Sequence, residues 1–284
     1  MGGLTLGALE VQGLTDLDRF DIPLSMLLPG ADAADFAGVP WIGGDLLTGD
    51  TLHLKIRSWL LRVGGRVILV DTCVGDHKER PRRPDWHRRD GGVLLSALAQ
   101  AGLRPEDVDI VMCTHLHADH VGWNTRLENG RWVPTFPNAR YVCGRAEYDH
   151  WAADAAAGGD GHGSFADSVL PVMEAGRMDL VADGWDLAQG LRLAVTPGHS
   201  PGHMCIHASH GDGAVFAGDA IHSPVQLARP DLSSAFCSDP DAARATRLRL
   251  LEEVADSGRW LIPAHFPDPG WIRLARDGDV FRPA

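Results

Sequence analysis

The segment T-H-L-H-A-D-H, Thr114 to His120, places three histidines and a carboxylate within seven residues. In extended backbone, residues two apart point the same way, so His115 and His117 can converge on one ion from the end of a strand. Asp119 and His120 follow around a turn and can face a second position nearby. With 14 histidines in 284 residues, three at fixed places arise by chance roughly once in 8,000 starts, and requiring the aspartate lowers that by about another order of magnitude. Chance is therefore a poor explanation. Three later segments supply what a two-metal site still lacks: T-P-G-H-S-P-G-H gives His199, F-A-G-D-A gives Asp219 and I-P-A-H-F gives His265. Neutral imidazoles suit zinc and similar borderline metals, and a carboxylate has two oxygens and can bridge two cations, which makes Asp219 the natural bridge. Burying so many histidines and aspartates without metal would leave polar groups unsatisfied, which argues against a purely structural role.

Each of these loops begins where an apolar run ends. From Thr51, TLHLKIRSWLLRVGGRVILVDT reads as two strands about a Gly-Gly turn, the second with the continuous apolar run Val67 to Val70. GGVLLSALAQAGLRPEDV spaces Val93, Leu94, Leu95, Leu98 and Leu103 as a helix that stops at Gly102, and DIVMCTH follows as a buried strand. LRLAV, MCIHAS, AVFAGDA and RWLIPAH read as further strands, with an amphipathic helix over Pro240 to Ser257. The alternation indicates a layered α/β architecture in one compact domain over 1–284. Residues 24 to 50 and 150 to 190 are rich in Gly, Ala and Asp, as expected of loops or short helices that cap a site rather than form a sheet.

The residues H-L-H-A-D-H, the later G-H, the G-D and the final A-H resemble the ligand set of the metallo-β-lactamase superfamily over roughly residues 50 to 270. The resemblance implies a four-layer αββα sandwich with His115, His117 and His199 on one metal, Asp119, His120 and His265 on the other, and Asp219 bridging. Asp71, which ends VILVD, matches the family's strand-terminal Asp and would orient a ligand loop, with Thr114, Ser200 and His203 as further supporting contacts. Zinc is the default metal, with manganese, iron or cobalt admitted by a His and carboxylate set. Two such cations about 3.5 to 4 Å apart would lower the pKa of bound water from near 16 to about 7 and polarise the substrate, so no Ser or Cys nucleophile is needed. Asp119 could then also shuttle a proton.

Within the superfamily, His117 stands where flavodiiron proteins carry Glu, which argues against oxygen or nitric oxide reduction. Asp219 occupies the region in which zinc β-lactamases carry Cys. The mixed-charge tail WIRLARDGDVFRPA lacks the basic C-terminal region of glyoxalase II. D-H-V-G-W-N, G-D-A-I-H-S-P-V-Q and A-H-F-P-D-P-G look most like the lactonase and methyl parathion hydrolase branch. The expected function is hydrolysis of a small-molecule carboxylic ester or lactone, with organophosphate triesters as side substrates. Thioester hydrolysis, a metal-dependent nuclease and a non-catalytic metal-binding protein are the alternatives. His222 stands where homoserine lactonases carry a tyrosine that touches the substrate, and is expected to donate a hydrogen bond to it. Trp123, Trp151, Phe165, Phe236, Phe266 and Trp271 are candidate walls of an apolar pocket.

Composition sets the outer limits. Hydrophobic residues make up 44% and charged residues 23%, ordinary for a soluble domain. The net charge of −12 argues against nucleic-acid or anionic-membrane partners. The one basic stretch, KERPRRPDWHRRD from Lys78 to Asp90, is expected to be a solvated surface loop. His53, His77, His87, His150, His162, His207 and His210 are expected on the surface or in loops. The five cysteines form no C-x-x-C pair and read as free, mostly buried thiols. The absence of a membrane-length apolar run or a basic-then-apolar N-terminus predicts a cytoplasmic protein. A homodimer is compatible with the sequence.

Overall fold

The computed structural model describes residues 3–159 and 163–284. These fall into two compact units, Met1–Asp16 with Ile56–Asp183, and Leu17–Lys55 with Gly184–Ala284. His162, expected on the surface, lies outside the described residues.

The strand Thr51–Val63, which belongs to the first unit from Ile56 onward, turns through Gly64 and Gly65, both at positive φ, into the antiparallel strand Arg66–Val70. Arg66–Val70 then pairs in parallel with Ile110–Met112, which pairs in parallel with Arg140–Gly144. Ile68, Leu69, Val70, Val111 and Met112 are all buried, which explains why these strands read as continuous apolar runs instead of alternating ones. The helix Val93–Gln100 buries Leu94 and Leu98, one turn apart, and the chain leaves it through Gly102 at φ +77°. The 150–190 segment differs from expectation. Met178–Val181 is a strand that extends this sheet in parallel with Arg140–Gly144, with Met178 and Val181 buried, one on each face. The helix Arg145–Ala156 and the π-helical turn Phe165–Val169 account for much of the rest.

The basic stretch is also corrected. Lys78 is fully buried, with its ammonium on Thr125 Oγ1 at 2.6 Å and on the carbonyl of Asp167 at 3.1 Å, over the ring of Trp132. Arg80 forks onto both carboxylate oxygens of Asp167 at 2.8 and 2.9 Å, and Arg89 reaches the buried carboxylate of Asp16 at 2.8 Å. Arg82, Arg88 and Asp90 are exposed as expected. A charge run this short says nothing of where its counter-charges lie, and Asp16 and Asp167 are far away in sequence.

The second unit contains a five-stranded sheet in the order Asp186–Ala188, Leu191–Val195, Met204–Ala208, Ala214–Gly218, Trp260–Pro263. Its pairs are antiparallel except the last, which is parallel. The helix Pro240–Val254 buries Leu250, Leu251 and Val254 in one apolar cluster with Val215, Ala217 and Leu261. A second cluster gathers Leu24, Leu27, Phe36, Leu52 and Leu54, so residues 24 to 50 carry core side chains as well as turns. His53 is a correction of the same kind: it is buried, with Nδ1 2.7 Å from Asp21 and Nε2 3.0 Å from Thr48. Its neighbours on the strand are apolar, and the ring is tolerated among them because both nitrogens are bonded. All five cysteines are free and four are buried. Among the described residues, no helix is long and apolar enough to cross a membrane.

Candidate metal centre

The first unit gathers His115, His117, Asp119 and His120 just beyond the strand Ile110–Met112. The chain leaves that strand extended and then forms a single helical turn, Ala118–Val121, which carries Asp119 and His120. The ring centroids of His115 lie 4.5 Å from those of His117 and 4.0 Å from those of His120, and Asp119 Oδ2 is 3.7 Å from His120 Nε2. All three rings are buried, while Asp119 is partly open.

Hydrogen bonds indicate which nitrogen His120 and His115 present. Asp71, at the end of Arg66–Val70 and at φ +60°, accepts from Thr114 N at 2.8 Å and from the Thr114 hydroxyl at 2.8 Å. It also accepts from His120 Nδ1 at 2.8 Å, which leaves the Nε2 lone pair of His120 directed toward Asp119. The Thr114 hydroxyl, having donated to Asp71, can accept from His115 Nδ1 at 3.1 Å, so His115 also presents Nε2. Leu116, between the two leading histidines, is held at both ends. Its N–H donates to buried Glu147 at 3.0 Å, and its carbonyl accepts from Ser164 Oγ at 3.0 Å. Glu147 also accepts from Trp151 Nε1 at 2.7 Å, and the Trp151 ring stands edge-on to His117 at 5.5 Å.

The second unit gathers His199, Asp219, His222 and His265, each just beyond a strand of the five-stranded sheet. Asp219 is at their centre: Oδ2 lies 3.4 Å from His199 Nε2 and 3.3 Å from His222 Nε2, while Oδ1 lies 3.1 Å from His265 Nε2. His265 Nδ1 donates to the carbonyl of Lys55 at 2.8 Å, which again turns the Nε2 lone pair inward. His203 accepts from the backbone N–H of Asp219 through Nε2 at 3.1 Å, so its proton is on Nδ1 and is given to Thr196 Oγ1 at 2.8 Å. The carbonyl of Ser200, a buried residue, accepts from Gly198 N at 3.2 Å within the His199 loop. The Cys237 thiol is 3.7 Å from His199 Nδ1, and burial pushes its pKa up to about 11, so it stays protonated and neutral.

Of the aromatic candidates, Trp123, Phe165 and Phe266 are buried, and Phe266 is part of the apolar cluster under the sheet. Trp151, Phe236 and Trp271 are half-buried, and Trp151 stands against a proposed ligand, His117. Glu147, Ser164, Thr196 and Thr246 were not singled out from the sequence. They are common polar residues in no recognisable pattern, and their role exists only through contacts distant in sequence. The donor sets fit a divalent cation. Each combines neutral imidazoles with carboxylate, and His222 has both ring nitrogens buried with no hydrogen-bond partner among the described residues.

Residues 51–265 match the family model described as the metallo-beta-lactamase superfamily. Among curated proteins, the chain is 27% identical over 177 residues to an N-acyl homoserine lactonase of Bacillus cereus, a match covering 58% of this chain and 62% of that protein's length. It is 28% identical over 265 residues to metallo-beta-lactamase domain-containing protein 1 of Mus musculus, covering 92% of this chain and 80% of that one. Among solved structures, AidC, a dizinc quorum-quenching lactonase in complex with a product, superposes with a TM-score of 0.82 at 23% identity, covering 100% of this chain and 96% of AidC. That likeness shows the fold.

Proposed function

The chain belongs to the metallo-β-lactamase superfamily, and on that premise we propose that it is a dinuclear metal-dependent hydrolase of carboxylic esters or lactones, with N-acyl homoserine lactones as the first class to test. The observation that carries this reading is that each unit holds a His/Asp set in which outer ring nitrogens are engaged by other groups: His120 Nδ1 by Asp71, His115 Nδ1 by Thr114 and His265 Nδ1 by the Lys55 carbonyl. A histidine core built only for packing has no need to present the same ring nitrogen each time. By the family's pattern His115, His117 and His199 would hold one cation and Asp119, His120 and His265 the other, with Asp219 shared between them.

When bound, divalent cations supply water acidified into the neutral range and Lewis-acid polarisation of the substrate's carbonyl. The chain's own residues position that chemistry. Asp71 and Thr114 orient the His120 and His115 rings, and His203 fixes the backbone from which Asp219 projects. Asp119, the partly open carboxylate of its set, is the group able to take a proton from the attacking water and pass it to the leaving oxygen. His222 acts from beside Asp219. Trp151, against His117, offers an apolar surface to an acyl chain. The match to homoserine lactonases supports the choice of lactone over other esters.

The test is a substrate panel on protein reconstituted with zinc, manganese or cobalt, comprising p-nitrophenyl esters, N-acyl homoserine lactones, a thioester, a phosphotriester and single-stranded RNA. Turnover of lactone or ester at least ten times faster than of the other classes is the expected result. Preference for the thioester or for RNA, or binding of metal without turnover of anything in the panel, would overturn it.

A further inference from the structure

Three of the seven expected ligands lie in the second unit, yet the structure brings four ligand-type side chains together there. His222 is 3% exposed, and neither of its ring nitrogens has a hydrogen-bond partner among the described residues. A neutral imidazole carries one N–H and one lone pair. Burying both without partners costs on the order of 1 to 3 kcal/mol each, so a histidine kept in that state needs a reason. The ring is not there by looseness of the loop. The side chain of Gln226 accepts from His222 N at 2.8 Å and from Ser223 N at 3.3 Å, and its own amide donates to the carbonyl of Leu232 at 2.8 Å. The ring itself meets the His199 ring at 4.8 Å with an interplanar angle of 62°, and lies 6.2 Å from the His265 ring at an interplanar angle of 18°. It is thus directed into the cluster on a fixed backbone.

The distances identify what the ring is directed at. Ligand atoms about 2.0 to 2.2 Å from a common tetrahedral zinc are separated by roughly 3.3 to 3.6 Å. Asp219 Oδ2 lies 3.3 Å from His222 Nε2 and 3.4 Å from His199 Nε2, and one donor atom from each of these three residues lies within 4.8 Å of the others. Oδ1 of the same carboxylate faces His265. The carboxylate therefore has two histidines on one oxygen and one on the other.

We infer that His222 is itself a metal ligand, sharing the cation on the Oδ2 side of Asp219 with His199, in place of the hydrogen bond to substrate that its position in the sequence suggests. The inference rests on the two-metal reading above. It makes the second unit a three-donor site of its own, His199, Asp219 and His222, so this half would retain a cation more firmly than the family's ligand pattern implies.

The experiment is metal titration of the full-length chain, stripped by a chelator and reloaded with zinc, then with cobalt for its visible spectrum, for the unaltered protein, His222→Ala and His222→Gln. Loss of an outer contact to a ligand typically weakens metal binding about 10- to 100-fold. Loss of His222 is expected to weaken one of the two sites by more than about 100-fold and to shift the cobalt bands, with the far-ultraviolet circular dichroism retained. If His222→Ala binds two cations with unchanged affinity and spectrum, the inference is overturned, whether or not turnover falls. A fall in kcat/KM alone would return His222 to the role of substrate donor. If the unaltered chain binds no metal, the two-metal reading itself fails, and that outcome is distinct because it precedes any substitution.

Discussion

At the scale of single residues, several of the proposed ligand side chains are held through the ring nitrogen opposite the one they would offer a cation. Asp71 is the clearest case. One carboxylate accepts from Thr114 N, Thr114 Oγ1 and His120 Nδ1, and so fixes the start and the end of the ligand loop together. Its φ of +60° is costly for most side chains but is tolerated by Asp and Asn. Asp71→Asn therefore keeps the backbone and removes the negative charge, leaving one amide oxygen to accept from three donors. It is expected to weaken metal binding about tenfold, the lower end for an outer contact, with little loss of thermal stability. Isothermal titration with zinc beside a melting curve checks both parts, and unaltered affinity would deny Asp71 its orienting role. The sequence pointed to Asp71 through its place at the end of an apolar run. It could not point to Glu147, because a glutamate in a polar helix looks like any solvated one until the helix is placed against Leu116.

At the scale of elements, the helix Pro240–Val254 organises the loop of His199. Asp239 caps its N-terminus by accepting from Asp241 N and Ala242 N. Thr246 donates to the carbonyl of Pro197 at 2.7 Å, and the amides of Ser238 and Asp239 donate to the carbonyls of His199 and Gly198. Helix and loop approach so closely that a Cβ on Gly198 would lie 2.1 Å from Ala243 N, and Gly198 is at φ +130°. The glycine of T-P-G-H is thus required by packing. Gly198→Ala is expected to lose about 2 to 4 kcal/mol from overpacking and backbone strain combined, and to weaken metal binding because the His199 loop must move with the helix. Gly176→Ala is the control, since Gly176 has φ +67° with open space around it. Differential melting with and without zinc separates the two. If both variants lose the same, small amount of stability, the close approach does not matter.

At the scale of the whole molecule, stability should carry the mark of Lys78, which joins the hairpin Thr125–Pro134 to the turn Phe165–Val169. Burial lowers the pKa of its ammonium from the ordinary 10.5 to about 7, against the opposing pull of Asp167, with Arg80 adding to the fall. Between about pH 7 and 10.5 the unfolded chain then holds a proton at Lys78 that the folded chain does not. Stability rises with pH wherever the unfolded state binds more protons. Across that window the unaltered protein should gain stability relative to Lys78→Met, and below pH 7 the two curves should run parallel. Urea unfolding at a series of pH values from 6 to 10 measures the difference. Parallel curves throughout would mean that the buried amine does not titrate there.

The sequence by itself pointed to seven candidate ligands and to the strands that carry them. His115, His117, Asp119 and His120 are adjacent in the chain, and His199, Asp219 and His265 each follow an apolar run that can only be a buried strand. Such information is local: a period of two, a turn residue, a side-chain type. The tertiary structure decided everything that depends on pairs distant in sequence. It decided that Lys78 and Arg80 face Asp167, that His53 is bonded to Asp21, that Met178–Val181 joins the sheet, and that Glu147 and Ser164 hold Leu116. It also decided that His222 turns its bare ring toward Asp219. The physical reason is common to all of them. A side chain's type fixes which bonds it can make, but burial and the partner that burial brings near fix which it must make, and those are properties of the folded chain.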